Sequence, residues 1–139
     1  MSQPIIEVID LYKSFKTGDR QELLVLENLN FKMYEGEIVA IVGQSGSGKS
    51  TLLRLIAGLL SPSKGTVNYR NQSVTGPVRG MSMVFQTFAL LPWLTVLQNV
   101  ELGLEALGVL PKVRRERSLK VIDMIGLDGF ESALPKELS

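Results

Sequence analysis

Nine residues, Gly43-Gln44-Ser45-Gly46-Ser47-Gly48-Lys49-Ser50-Thr51, constrain this chain more than any other stretch. They fit Gly-x-x-x-x-Gly-Lys-[Ser/Thr], a phosphate-cradling loop. Glycines let the backbone turn tightly, so that successive N–H groups converge on phosphate oxygens. Lys49 can set its ammonium against the β- and γ-phosphates, and Ser50 can offer a hydroxyl to Mg²⁺. From average composition, chance produces the pattern in roughly 1% of chains of this length. Upstream, Glu37-Ile38-Val39-Ala40-Ile41-Val42 is a β-branched apolar run that predicts a parallel strand buried on both faces. Downstream, Leu52, Leu53, Leu55, Ile56 and Leu59 predict a mostly apolar helix ended by Gly58 or by Ser61-Pro62. Strand, glycine loop and helix is the arrangement the motif requires, and the helix N-terminus adds partial positive charge to the anion site. Binding of a nucleoside triphosphate follows. Its base and its reaction do not.

Bulk properties narrow the rest. The 139 residues make one domain or part of one, 45% hydrophobic and 21% charged, which reads as globular. A net charge of +1 gives no general electrostatic case for nucleic acid or an anionic membrane. There is no cysteine, which excludes disulfides and thiolate metal sites, and no histidine, which excludes a histidine base or switch within the chain. Met1 to Glu7 lacks the basic and long apolar regions of a signal peptide, and no apolar run approaches a membrane span.

Taken in order, Ile5 to Leu11 is strand-like with imperfect alternation, followed by a polar turn at Thr17-Gly18-Asp19-Arg20. Leu29, Phe31 and Met33 alternate with Asn30 and Lys32 as a half-buried strand, and Thr66 to Arg70 reads as another. Met81 to Phe85 predicts a strand ending at Gln86. The chain then turns helical. Thr95 with Gln98 predicts a capping box, with Val96, Val100, Leu104 and Leu107 as the apolar stripe. Pro111 opens a further helix, with Leu119, Ile122 and Ile125 inward and Gly126 as the stop. Its Lys112, Arg114, Arg115, Arg117 and Lys120 form a solvated basic face or a partner contact.

Assembled, these elements resemble the nucleotide-binding domain of ATP-binding-cassette (ABC) transporters: an α/β P-loop NTPase fold with a helical subdomain. The organisation implied is a nucleotide-binding core over residues 1–86 and a Q-loop with partial helical subdomain over residues 87–139. The resemblance makes Gly43, Gln44, Ser45, Gly46, Ser47, Gly48, Lys49, Ser50 and Thr51 the phosphate site. Tyr12 matches the aromatic that stacks on adenine, a contact worth about 1–3 kcal/mol. Gln86 matches the Q-loop glutamine. It would serve beside Lys49 in catalysis, and beside Ser50 near the Mg²⁺ and attacking water. Leu134-Pro135-Lys136-Glu137-Leu138-Ser139 is similar to the opening of the Leu-Ser-Gly-Gly signature. Leu90 to Val100, with Pro92 and Trp93, is similar to the segment after the Q-loop in import ATPases for nitrate, sulfonates and taurine. There a coupling helix of the membrane subunit would dock.

The resemblance implies ATP and Mg²⁺ as cofactors. It also implies a membrane permease, a second ATP-binding subunit and a separate solute-binding protein as partners, no nucleic acid, and a place on the cytoplasmic face of the membrane. It covers only the N-terminal part of such a domain. Walker B, the catalytic glutamate, the D-loop and the switch histidine would follow Ser139. The expectation is thus a truncated ATP-binding subunit of an importer, binding ATP without efficient hydrolysis. Other readings are a small-molecule kinase, a non-transport ABC protein of DNA repair or translation, and a non-catalytic remnant.

Overall fold

The N-terminal half hangs on one strand. β1 (Ile6–Thr17) pairs antiparallel with β2 (Gln21–Met33) along one edge and with β3 (Lys64–Tyr69) along the other. β4 (Gln72–Ser73) joins β3, giving the order β2-β1-β3-β4. The computed structural model describes residues 3–18, 21–85 and 89–138. The chain divides into two compact units, Met1–Val84 and Phe85–Ser139. In the sheet, Glu7 lies opposite Lys32, and the two form an ion pair at 2.8 Å. The hydrogen bond from Lys32 to Glu7 raises the ammonium's pKa above its ordinary value.

The imperfect alternation of β1 has a structural cause. The pairing shifts register between Val8 and Leu11 against β2, and between Ile9 and Tyr12 against β3. Asp10 and Asn28 sit there at φ 46° and 44°, in the left-handed region that Asp and Asn enter more readily than most side chains. Asn30 bridges the irregularity. Its Oδ1 accepts from the Asp10 N–H at 2.8 Å, and its Nδ2 donates to Asp10 Oδ1 at 3.1 Å and to the Asn28 carbonyl at 3.3 Å. The bulge brings Val8 and Leu11, three residues apart, into the same core.

That core lies between the sheet and α1 (Lys49–Ile56). Val8, Leu11, Leu26 and Val67 of the strands meet Leu52, Leu55 and Ile56 of the helix, the i, i+3, i+4 face of a 3.6-residue period. Helix α1 is capped at Ala57 and stopped by the following Gly58, one of the two expected stops. The Gly58 N–H donates to Leu55 and the Leu59 N–H to Arg54, at 3.1 and 2.8 Å, satisfying two terminal carbonyls. Gly58 has φ 73°, and a Cβ there would come within 1.9 Å of the Gly76 carbonyl oxygen, so no other residue fits.

Two expected strands do not form. Residues 37–42 and 81–85 belong to no ladder, and Ile38, Val42 and Val84 are 100%, 91% and 97% exposed. A strand is stabilised by neighbours that take its N–H and C=O groups, and none of the described strands lies beside either segment. The apolar run is therefore present in sequence and unburied in structure.

In the second unit, α2 (Val96–Ala106) and α3 (Pro111–Met124) enclose a small core of Val96, Leu97 and Ile122, flanked by Val100, Leu119 and Leu127. Leu107 and Ile125, expected inward, are mostly exposed, because each lies just past the end of its helix. The expected capping box is present: Thr95 Oγ1 accepts from the Gln98 N–H, and Gln98 Oε1 accepts from the Thr95 N–H at 2.9 Å. The basic side chains of α3 are partly engaged. Arg114 lies 3.8 Å from Glu101 and 3.5 Å from Glu105, and Lys120 2.9 Å from Glu116. Ser118 is 1% exposed, and its hydroxyl has no hydrogen-bond partner among the described residues.

Burying a hydroxyl without a partner costs about 1–3 kcal/mol on mutational scales. Ser118→Ala is accordingly expected to raise the stability of the helical unit by about 1 kcal/mol in chemical denaturation, and a loss would show that the hydroxyl is satisfied. In the first unit, Leu11→Ala should cost about 2–5 kcal/mol. Ile38→Ala, at a fully exposed site, should stay within about 0.5 kcal/mol, and a cost comparable to that of Leu11→Ala would mean residue 38 is buried.

Candidate functional site

The two best-defined helix starts in this chain differ in one respect that decides their chemistry. At α2, all four N-terminal N–H groups are satisfied: Thr95 by the Gln98 side chain, Val96 by the Ala133 carbonyl, Leu97 by the Glu131 carbonyl, and Gln98 by Thr95 Oγ1. At α1, the N-cap is Gly48, which has no side chain to cap with. The first N–H to return to the backbone is that of Leu52, donating to the Gly48 carbonyl at 2.9 Å. Among the described residues, the N–H groups of Gly46, Gly48, Lys49, Ser50 and Thr51 find no acceptor. Five amides within six residues, at the positive end of a helix, are a site for an anion with several oxygens.

The loop is held in shape by its own lysine. Lys49 Nζ donates to the Gly43 and Gln44 carbonyls at 2.8 and 2.6 Å and lies 3.4 Å from Ser47 Oγ. The side chain at the start of the helix is thereby tied back to the start of the loop. The Ser47 N–H closes a turn onto the Gln44 carbonyl at 3.2 Å. This places a cation beside the open amides before any ligand arrives, which lowers the ordering cost of binding.

Gly48 is fixed from behind. It has φ 89°, and a Cβ built on it would approach Leu26 Cδ2 to 2.9 Å, Val25 Cγ1 to 3.0 Å and the Val25 carbonyl oxygen to 3.1 Å. Strand β2 therefore forms the wall against which the loop turns. Val25 and Leu26 carry this role, and sequence reasoning did not single them out, although the apolar run Leu23 to Leu26 was a signal for a strand there.

The remaining candidates are placed as follows. Gly43 to Thr51 form one continuous loop and helix start, with the Ser50 hydroxyl exposed and bonded to nothing among the described residues. Tyr12 stands on β1 just past the bulge, half-buried; its carbonyl accepts from the Ser63 N–H at 2.8 Å, and Lys64 Nζ lies 6.0 Å from its ring. Phe15, three residues on, is exposed, with Lys13 Nζ 5.0 Å from its ring centre. Gln86 and Ser139 lie outside the described residues. No group of three or more His, Cys, Asp or Glu gathers among the described residues, so Mg²⁺ held here would take the Ser50 hydroxyl together with oxygens of a bound phosphate and water. No helix among them is long and apolar enough to cross a membrane.

The family model for the ABC transporter domain matches residues 26–139. The chain belongs to the ABC transporter family. Its ABC relatives include the nitrate import ATP-binding protein NrtD of Synechocystis, 48% identical over 134 residues, covering 96% of this chain and 50% of the relative. The taurine import ATP-binding protein TauB of Yersinia pestis is 41% identical over 114 residues, covering 82% of this chain and 45% of the relative. The ABC chain thus spans about half the length of these curated relatives. Among solved structures, the dimeric ATP-binding cassette MJ0796 in a post-hydrolysis state with ADP and Pi superposes with a TM-score of 0.80 at 33% identity. That match covers 96% of this chain and 63% of the other. The fold is that of the ABC-type P-loop ATPase cassette.

Gly48→Ala combines a strained φ with contacts at 2.9–3.1 Å, and two of the three contacts are made by Val25, one of them with its backbone oxygen. It is expected to abolish triphosphate binding in isothermal titration while the β1–β2 ladder stays protected in amide exchange. Retained binding would show that the loop tolerates a rearranged Gly48.

Proposed function

We propose that this chain is the nucleotide-binding portion of an importer's ATP-binding subunit, and that it holds Mg·ATP through residues 43–51. The observation that supports this best is the row of unpaired amides at the head of α1, with the Lys49 ammonium already beside them. The amides of Gly46, Gly48, Lys49, Ser50 and Thr51 would take phosphate oxygens. Lys49 would exchange one of its loop contacts for a phosphate oxygen, the 3.4 Å approach to Ser47 being the longest. Ser50 would supply the protein's ligand to Mg²⁺, and Gln86 would act near the same metal and the attacking water. Bound Mg²⁺ neutralises charge on the phosphates.

Two aromatics compete for the adenine ring. Tyr12 is the expected platform. Phe15 has the more open ring, 38% exposed, whereas Tyr12 is half-buried with its carbonyl engaged. Comparing ATP with inorganic triphosphate separates them. The variant, Tyr12→Ala or Phe15→Ala, that weakens ATP by about 5-fold or more while leaving triphosphate unchanged identifies the stacking residue.

Phosphate binding is distinct from phosphate release. Hydrolysis also needs a positioned water and stabilisation of the developing charge. The chain by itself is read as an ATP-binding unit without steady turnover. In an importer it would pair with a second ATP-binding subunit and seat on a membrane permease, and the names of its relatives make nitrate or taurine-like anions the solutes to test first. The deciding experiment measures ATP affinity and phosphate release together. ATP should bind, and Lys49→Ala should weaken it by at least about 10-fold. Steady phosphate release abolished by Lys49→Ala would overturn the non-hydrolysing reading, and absence of ATP binding would overturn the whole.

A further inference from the structure

Three consecutive residues of β1 are tied to the chain that leaves α1. The Ser63 N–H donates to the Tyr12 carbonyl at 2.8 Å, Lys13 Nζ donates to the Ser61 carbonyl at 2.7 Å, and the Ser14 N–H donates to Ser63 Oγ at 3.0 Å. The Ser14 and Ser63 hydroxyls also lie 3.3 Å apart. These bonds begin where the regular ladder stops. Past the bulge, Tyr12 opposite Lys64 is the last pair between β1 and β3 among the described residues, and β3 starts at Lys64. Pro62 has no N–H with which to carry a ladder on. Side chains take over there: one hydroxyl and one ammonium hold residues 61–63 against β1.

The strap joins two parts of the candidate site. On β1 it grips the stretch between Tyr12 and Phe15, the two aromatics that compete for a base, so it fixes the strand on which either stands. Its other side is the exit from α1. The Leu59 and Leu60 N–H groups both return to the Arg54 carbonyl, at 2.8 and 3.3 Å, and Leu60 packs against the core, which leaves little slack before Ser61. At the head of the same helix stand the open amides of Gly48 to Thr51. An eight-residue helix is about 12 Å long, and its internal hydrogen bonds keep that length fixed. Helix α1 is therefore a strut, with the amides at one end and the aromatic strand tied to the other.

A nucleotide carries its base and its phosphates at a spacing limited by the ribose between them. A platform already at that spacing loses less freedom on binding than one that must be ordered. The bond between Ser14 and Ser63 is exposed, so water can replace it at little cost to the fold. Water would not keep the two segments at a set distance.

We infer that Ser63 is a positioning residue, which through α1 sets the spacing between the aromatic stretch of β1 and the phosphate loop, and so favours a triphosphate that carries a base over bare triphosphate. The ligand rests on the ATP-binding function proposed above; the strap rests on the hydrogen bonds alone.

The test titrates the whole chain, in Mg²⁺, with ATP and separately with inorganic triphosphate. Ser63→Ala is expected to weaken ATP about 3-fold or more, part of what a stacked base contributes, and to leave triphosphate unchanged. A merely structural loss would lower both together. Ser63→Thr keeps the hydroxyl and should restore the ATP affinity. Amide exchange at Ser14 gives a readout without nucleotide: its protection should fall about 10-fold in Ser63→Ala and be retained in Ser63→Thr. Unchanged exchange in Ser63→Ala would overturn the strap. Equal weakening of both ligands, an unchanged ATP affinity, or a Ser63→Thr no better than Ser63→Ala would overturn the positioning role and leave the ATP-binding reading standing. An unaltered chain that binds ATP no tighter than triphosphate would remove the base platform and the positioning role together. Binding of neither ligand would overturn the proposed function as well.

Discussion

The amides at the head of α1 have no acceptor among the described residues, and much of the molecule follows from that one imbalance. An unpaired backbone N–H is tolerated where water or a ligand can take it, and a row of them at a helix start accumulates partial positive charge. Gly48 keeps the row open because it cannot cap the helix with a side chain of its own. Lys49 adds a full charge and spends its hydrogens on the loop's carbonyls in the meantime. The α2 start, built from Thr95 and Gln98, shows the opposite solution in the same polypeptide. One helix start is closed by its own side chains and the other is left open among the described residues.

How much of this could be read from the residues depends on whether the signal was local. Gly43 to Thr51, the Thr95–Gln98 cap, Pro111 at a helix start and the glycine stops at Gly58 and Gly126 are all local, and the helices form around them. The strands were harder. β1 was legible only up to Leu11 because the bulge at Asp10 breaks the two-residue period that marks a strand, and β2 before Leu29 was missed. Ile38 to Val42 misled in the other direction. A buried parallel strand is a property of its neighbours as much as of its own side chains, and no amount of local β-propensity supplies them. Val25 and Leu26 were illegible as site residues for a related reason: their part in the site is to stand behind Gly48, which only the tertiary structure reveals.

Family membership and physical reading meet at different depths. The likeness to import ATPases and to a solved cassette fixes the fold of this chain and suggests what it is for. A glycine loop and helix start whose geometry is set by its own residues coexists with apolar segments that are left uncovered, so the shape of the candidate phosphate loop depends on local geometry while burial of residues 37–42 and 81–85 does not.

The wall behind Gly48 makes the loop hostage to a hairpin. Because Val25 and Leu26 set where residue 48 can sit, the candidate phosphate loop inherits the register of β2 on β1, and that register is pinned by the Asp10–Asn28–Asn30 bridge. Length can vary near Gly18, at the far end of the hairpin, without moving the wall. A single residue gained or lost between Leu26 and Asn30 would turn every side chain of the wall to the opposite face. The part of the chain least free to drift is therefore a stretch of β2 that lies outside the loop itself.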